Sequence, residues 1–222
     1  TGENMKPYKI AMLALFAVGV ITLIVLKALN FGSRRRGVVK CVCSALFVAM
    51  AAVNFVDSIY ELRALALLGV AFAALGDVLL VFMDKRLYFL MGVVSFSCAS
   101  LCLSMYSFFT FGWQWWFVFI FVAFVSGLSV GQVFKVIDFG RSVVYLNIYS
   151  GLVALCGSLG FTLVVQGVGD LPSFLFGMGC FMYFISDICL GLYLYTFKHN
   201  RLVDCINTML YFPGLMLVAL SL

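Results

Sequence analysis

Two aspartates, Asp77 and Asp187, are the residues of this chain best placed to do chemistry, because each interrupts a long apolar run. An ionisable side chain in a membrane-spanning helix costs roughly 2.5–3.5 kcal/mol on insertion scales, so it is expected to face a protein interior or a water-filled cavity. Helical spacing puts Asp77 on one face with Ala66, Gly69, Ala73, Gly76 and Leu80, and Asp187 on one with Gly177, Cys180, Phe184 and Gly191. Both faces are rich in small residues that let helices approach closely, which predicts that both carboxyls point inward. Two carboxyl groups held away from water can divide the work of acid and base, since desolvation and mutual repulsion separate their proton affinities. The simpler alternative is a carboxylate that only joins neighbouring helices, through partners such as Tyr145, Asn147, Tyr183 or Tyr211. Asp57 and Glu61, beside Arg63, read as an interfacial polar cluster.

Other catalytic devices are missing from the sequence. There is no Gly-x-Ser-x-Gly elbow and no phosphate-cradling loop, and a single histidine, His199 in a polar connection, does not make a Ser-His-Asp set. The eight cysteines fall in or at the ends of apolar segments, so they read as small packing residues, with neither a disulfide framework nor a metal site expected. No cofactor is implied. The basic residues read as topology signals, so nucleic acid is not an expected partner.

The elements that must position the two aspartates follow from composition. The chain has 222 residues, 65% hydrophobic and 10% charged, with 24 Phe. Its mean hydropathy is +1.16. No soluble domain could cover that much apolar surface. Apolar runs long enough to cross about 30 Å of hydrocarbon recur down the chain. Alternating strand-length patterns of a barrel are not seen, so the expected fold is all-α, a single polytopic transmembrane bundle over residues 1–222. Helices are predicted near 10–29, 38–56, 64–83, 87–109, 113–134, 142–165, 173–197 and 203–222. Residues 1–4 precede Met5 and read as a remnant ahead of the natural start.

Lys and Arg are unevenly shared between the two sides. Lys27, Arg34, Arg35, Arg36, Lys40, Lys85, Arg86, Lys135, Arg141, Lys198 and Arg201 lie on the side of the odd-numbered connections, against Lys6, Lys9 and Arg63 on the other. The bias predicts cytoplasmic odd connections, non-cytoplasmic termini, and Trp113, Trp115 and Trp116 as an anchor at the opposite interface. The basic side would also attract anionic membrane lipids. Helices three and seven run toward that side, ending near Lys85 and Lys198, so the two aspartates are expected at one depth. Gly76-Asp77-Val78-Leu79-Leu80 and Ser186-Asp187-Ile188-Cys189-Leu190 echo each other. A four-plus-four duplication would set the aspartates about an axis normal to the membrane, where repeat interfaces carry sites. Gly127-x-x-x-Gly131 is expected to serve packing within the bundle, and oligomeric state is not legible.

The Asp-centred segments resemble the YhhN-like family of integral membrane proteins, which includes the lysoplasmalogenases. The resemblance rests on Gly76-Asp77-Val78-Leu79-Leu80 with Gly92-Val93-Val94-Ser95-Phe96, on Phe184-Ile185-Ser186-Asp187 with Leu190, on Tyr211 through Ala219-Leu220-Ser221, and on Lys40. It implies hydrolysis of the vinyl ether bond of lysophospholipids of the plasmalogen type, giving a fatty aldehyde and a glycerophosphoethanolamine or glycerophosphocholine. Asp77 and Asp187 would then be the acid and base, with Lys40, Ser100, Tyr145, Asn147, Tyr183, Ser186 and Tyr211 as supporting residues. The family pattern has His after the Ala of helix four, Gln in the last helix and a second Tyr after Tyr211. This chain has Ser100, Leu215 and Phe212. Those departures leave room for a different lipid ether or ester substrate, and for a non-catalytic lipid-binding or proton-coupled transport protein.

Overall fold

The computed structural model describes residues 6–57, 60–82, 85–113, 115–134, 139–140, 143–166, 170–196 and 200–222. They form eight helices: α1 (Pro7–Ala28), α2 (Ser33–Asp57), α3 (Arg63–Leu80), α4 (Arg86–Phe111), α5 (Trp116–Val133), α6 (Val143–Val165), α7 (Leu171–Tyr195) and α8 (Arg201–Leu220). All eight are long and apolar enough to cross a membrane, and no strand occurs among the described residues. The chain is therefore an all-α, multi-pass membrane bundle.

Local signals set the helix ends. Pro7 occupies the first turn of α1, where its missing N–H costs nothing. The Asp170 carboxylate accepts from the Ser173 N–H at the start of α7, and Asn200 Oδ1 accepts from the Leu202 N–H at the start of α8. Gly112, at φ +75°, ends α4 in a conformation that a side chain would resist. One boundary differs from the sequence expectation. Arg34, Arg35 and Arg36 are not in a connection but in the opening of α2, because charged side chains at a helix end reach water without breaking the helix.

Helices α1, α2, α3, α4, α6, α7 and α8 pack in that order around a ring that closes where α8 meets α1 and α2. Helix α5 stands outside and packs chiefly on α6. The packing order of the first four helices recurs in the last four. The contacts α1–α2, α2–α3 and α3–α4 answer to α5–α6, α6–α7 and α7–α8, and α2–α8 answers to α6–α4. The correspondence is partial, since α1 packs on α8 whereas α5 has no like packing on α4, but it sets the Asp-bearing helices α3 and α7 in corresponding places.

Close approach depends on glycine where α7 meets its neighbours. A Cβ on Gly160 would lie 2.6 Å from the Gly177 carbonyl oxygen, and one on Gly179 would lie 2.6 Å from that of Gly214. Gly127 is different: it is exposed, and nothing lies within 4 Å of where its Cβ would be. So Gly127 itself makes no close helix contact, while Gly131 of the same motif is half-buried.

At the end away from the odd connections, Asp57 is paired with Lys6 at 2.9 Å and Lys9 at 2.7 Å, both from the start of α1. Arg63 instead donates to the carbonyl of Leu222. The polar cluster exists, but its cations come from α1 and its arginine serves the end of the chain. Trp113, Trp115 and Trp116 are exposed near the α4–α5 connection, with Trp113 stacked on Phe108. Asp84, Lys135, Arg141, Lys198 and His199, and residues 1–4, lie outside the described residues.

Candidate functional site

At the end of the bundle that carries the odd connections, the ring encloses a cavity of about 280 Å³. Asp77 and Asp187 both line it. Asp77 sits about one turn before the end of α3 and Asp187 about two turns before the end of α7, so each helix delivers its carboxyl at the cavity floor. The small-residue face of α3 is buried as its spacing predicts, through Ala66, Gly69, Ala73 and Gly76, with Asp77 continuing it at 1% exposure.

The surroundings of the two groups differ. Asp77 Oδ1 is in an ion pair with Lys40 Nζ at 2.9 Å. Its Oδ2 accepts from Ser44 Oγ at 2.6 Å and from Tyr211 Oη at 2.9 Å. Helices α2 and α8 therefore clamp the α3 carboxylate from two sides with three donors, one of them charged, which is the kind of pairing that a buried carboxylate requires. Asp187 accepts one hydrogen bond, from Tyr149 Oη of α6 at 2.6 Å. Among the described residues it has no ion pair. Its side chain stays partly accessible from the cavity.

A second polar group stands nearer the mouth. Lys27 Nζ of α1 meets Asp204 Oδ1 of α8 at 2.6 Å and donates to Thr208 Oγ1 at 2.7 Å. Arg36 lines the same mouth beside Ser33 and Tyr193, and its guanidinium makes no hydrogen bond or ion pair among the described residues. Much of the remaining wall is apolar: Leu80 on α3 and Val81 just after it, Phe89, Val93 and Phe96 on α4, Leu146 on α6, Leu190 on α7 and Phe212 on α8. A site of this kind suits an amphiphile with an anionic head and a hydrocarbon body.

Of the supporting residues named from the sequence, Lys40 and Tyr211 line the cavity and touch Asp77. Tyr183, Ser100 and Ser186 do not line it. Tyr183 is fully buried behind it, interacting with Tyr149 and lying 3.3 Å from the Ser100 hydroxyl. Ser186 is also buried, its carbonyl accepting from Asn207 Nδ2 at 2.8 Å, and Asn207 is itself in the cavity wall. Tyr145 and Asn147 are off the cavity altogether. Tyr145 faces outward, and Asn147 is paired with Gln132 of α5 at 2.6 Å. The α6 residue that reaches Asp187 is Tyr149, one turn beyond Tyr145, and the α2 residue that joins Lys40 on Asp77 is Ser44. The sequence held a signal for Ser44, one turn after Lys40 on the same face. Nothing in the residue pattern of α6 distinguished Tyr149 from Tyr145.

The positions where this chain departs from the family pattern are also located. Ser100 and Leu215 are fully buried and outside the cavity wall, Ser100 satisfied by Tyr183 and Leu215 packed in the main core. Phe212 does line the cavity, resting against the rings of Tyr211, Phe16 and Phe47. Among the described residues no three His, Cys, Asp or Glu side chains gather as metal ligands would. The eight cysteines are free thiols.

Comparison with known proteins gives a family model that matches residues 35–222, described as the YhhN family. The match takes in every site residue above except Lys27 and Ser33. No curated protein and no solved structure matches the chain.

Proposed function

The chain belongs to the YhhN family, and on that premise we propose that it is a membrane-embedded hydrolase of lysoplasmalogens, cleaving the vinyl ether bond to release a fatty aldehyde and a glycerophosphoethanolamine or glycerophosphocholine. The observation that carries the reading is a single cavity lined by three carboxyl groups, of which Asp77 and Asp204 are each paired with a lysine while Asp187 has no ion pair among the described residues. A carboxylate at Asp187 would have a phenol but no cation beside it among the described residues, so we assign the mobile proton to Asp187.

The chemistry is then as follows. Asp187 delivers its proton to the β-carbon of the vinyl ether, leaving an oxocarbenium ion at the carbon bonded to oxygen. The Asp77 carboxylate, fixed by Lys40, Ser44 and Tyr211, supplies negative charge to that cation without reorganising. Water adds to the oxocarbenium carbon and loses a proton to Asp187, giving a hemiacetal. Collapse moves the hydroxyl proton out and a proton onto the departing glyceryl oxygen, so one water is consumed and Asp187 ends as it began. Tyr149, bonded to Asp187, holds the carboxyl in position. The phosphate of the head group would lie against Arg36 at the mouth, and the Lys and Arg bias supports a cytoplasmic mouth.

The test is turnover by purified protein against a panel of lysolipids with vinyl ether, ester and alkyl ether linkages. Aldehyde release from the vinyl ether substrate is expected, and loss of that release in folded Asp187→Asn and Asp77→Asn proteins. No turnover of any of the three linkages would sink the reading. Ligand-dependent proton flux in liposomes without product would favour transport through the same carboxyls.

A further inference from the structure

At about 280 Å³ the cavity lies at or below the small end of the roughly 300–1,000 Å³ range of pockets that enclose drug-sized ligands. A glycerophospho head and the reacting carbons would occupy it, and a long chain must continue elsewhere. Running out through the mouth, past Arg36, Lys27 and Asp204, would take hydrocarbon into the most polar part of the site.

A second hollow of about 250 Å³ lies on the lipid-facing wall between α4 and α6. Its lining is Val93, Val94, Ser97, Cys98 and Leu101 on α4 and Tyr145, Ile148 and Leu152 on α6. The one hydroxyl on the α4 side is satisfied within its own helix, since Ser97 Oγ donates to the Val93 carbonyl at 2.9 Å. From Val93 to Leu101 the groove follows α4 for about 12 Å at 1.5 Å per residue, running from the Tyr145 end of α6 toward the middle of the bundle. Val93 lines both hollows, so this side chain is a shared wall between the groove and the cavity that holds Asp77 and Asp187.

We propose that the substrate's hydrocarbon chain leaves the cavity past Val93 and lies in the α4–α6 groove, which makes this groove the lateral route from the bilayer and the determinant of chain length. The proposal rests on the lysolipid reading of the cavity. It assigns a role to Tyr145, at the interfacial end of the groove, that the cavity itself does not give it.

Two variants and one probe test it. Val93→Phe narrows the join, and Leu101→Trp, at a partly exposed position, fills the far end with little risk to folding. Both are expected to lower kcat/KM for a long-chain lysolipid by about tenfold or more, and Leu101→Trp, which lies outside the cavity, to leave a short-chain analogue near wild type. An unchanged chain-length profile in both variants would overturn the proposal. Independently of turnover, a lysolipid carrying a photoreactive diazirine at its chain terminus is expected to label the α4 and α6 peptides around Leu101 and Leu152. Labelling spread evenly over all lipid-facing helices, or confined to the mouth, would overturn it as well. Absence of turnover with localised groove labelling would count against the hydrolase reading while leaving the chain route standing.

Discussion

The α2–α3 corner and the α6–α7 corner of the ring are built alike and charged differently. The shift that carries Asp77 onto Asp187 carries Lys40 onto Ser150 and Ser44 onto Ala154, and Lys40 and Ser150 both line the cavity. In the first corner an ammonium and a hydroxyl from α2 hold the carboxylate, and Tyr211 of α8 completes the set. In the second, the cation and the hydroxyl donor are replaced by serine and alanine, and a single phenol from Tyr149 is the partner. One corner has its charge neutralised by the fold. The other leaves a carboxyl with no ion pair among the described residues, the group proposed above as the acid.

The sharpest way to break this contrast is Asp187→Asn. If the carboxyl is the proton donor, aldehyde release falls by about 10²–10⁴-fold, the range that general acid–base groups contribute. Thermal stability, followed in detergent, should change little, because one neutral hydrogen bond is exchanged for another. A variant that loses stability along with activity would mean that Asp187, like Asp77, is tied into the packing of the bundle, and the contrast between the corners would fall.

Lys40→Met probes the other corner. Removing the ammonium leaves Asp77 buried without its counter-charge, a loss of about 3 kcal/mol for a buried pair, and the Lys40→Met/Asp77→Asn double variant should regain most of it. Additive losses in that cycle would show that the pair is not coupled. Tyr149→Phe should cost activity rather than stability, with kcat down about tenfold, equivalent to about 1.4 kcal/mol. Equal losses in Tyr149→Phe and Tyr211→Phe would erase the distinction between the corners. The smallest effect is expected from Ser44→Ala, about 1 kcal/mol of stability for one hydrogen bond to Asp77, with kcat changed less than in Tyr149→Phe.

The order of these effects also accounts for the residues at the departures from the family pattern. Ser100 and Leu215 are buried away from the cavity, so the absence of His and Gln there does not open a gap in its wall. Phe212 is the departure that reaches the site, and it contributes an apolar surface beside Tyr211.

The sequence by itself determined the class of the protein, since length and hydropathy admit only a lipid-embedded helical chain, and the helix positions follow from the apolar runs to within a few residues. It also determined that Asp77 and Asp187 required an interior environment, because the insertion cost of a carboxylate is a property of the residue and of lipid. It did not determine which neighbours meet them. In a soluble helix the polar face marks the outside, but lipid is as apolar as a protein core, so a helix such as α6 carries almost no record of its rotation. Tyr145, Asn147 and Tyr149 are equally plausible from spacing, and packing against α4, α5 and α7 turned the first to lipid, the second to Gln132 and the third to Asp187. The same holds for Lys27 and Arg36, which read as topology signals along the chain and line the mouth of the site once the ring closes.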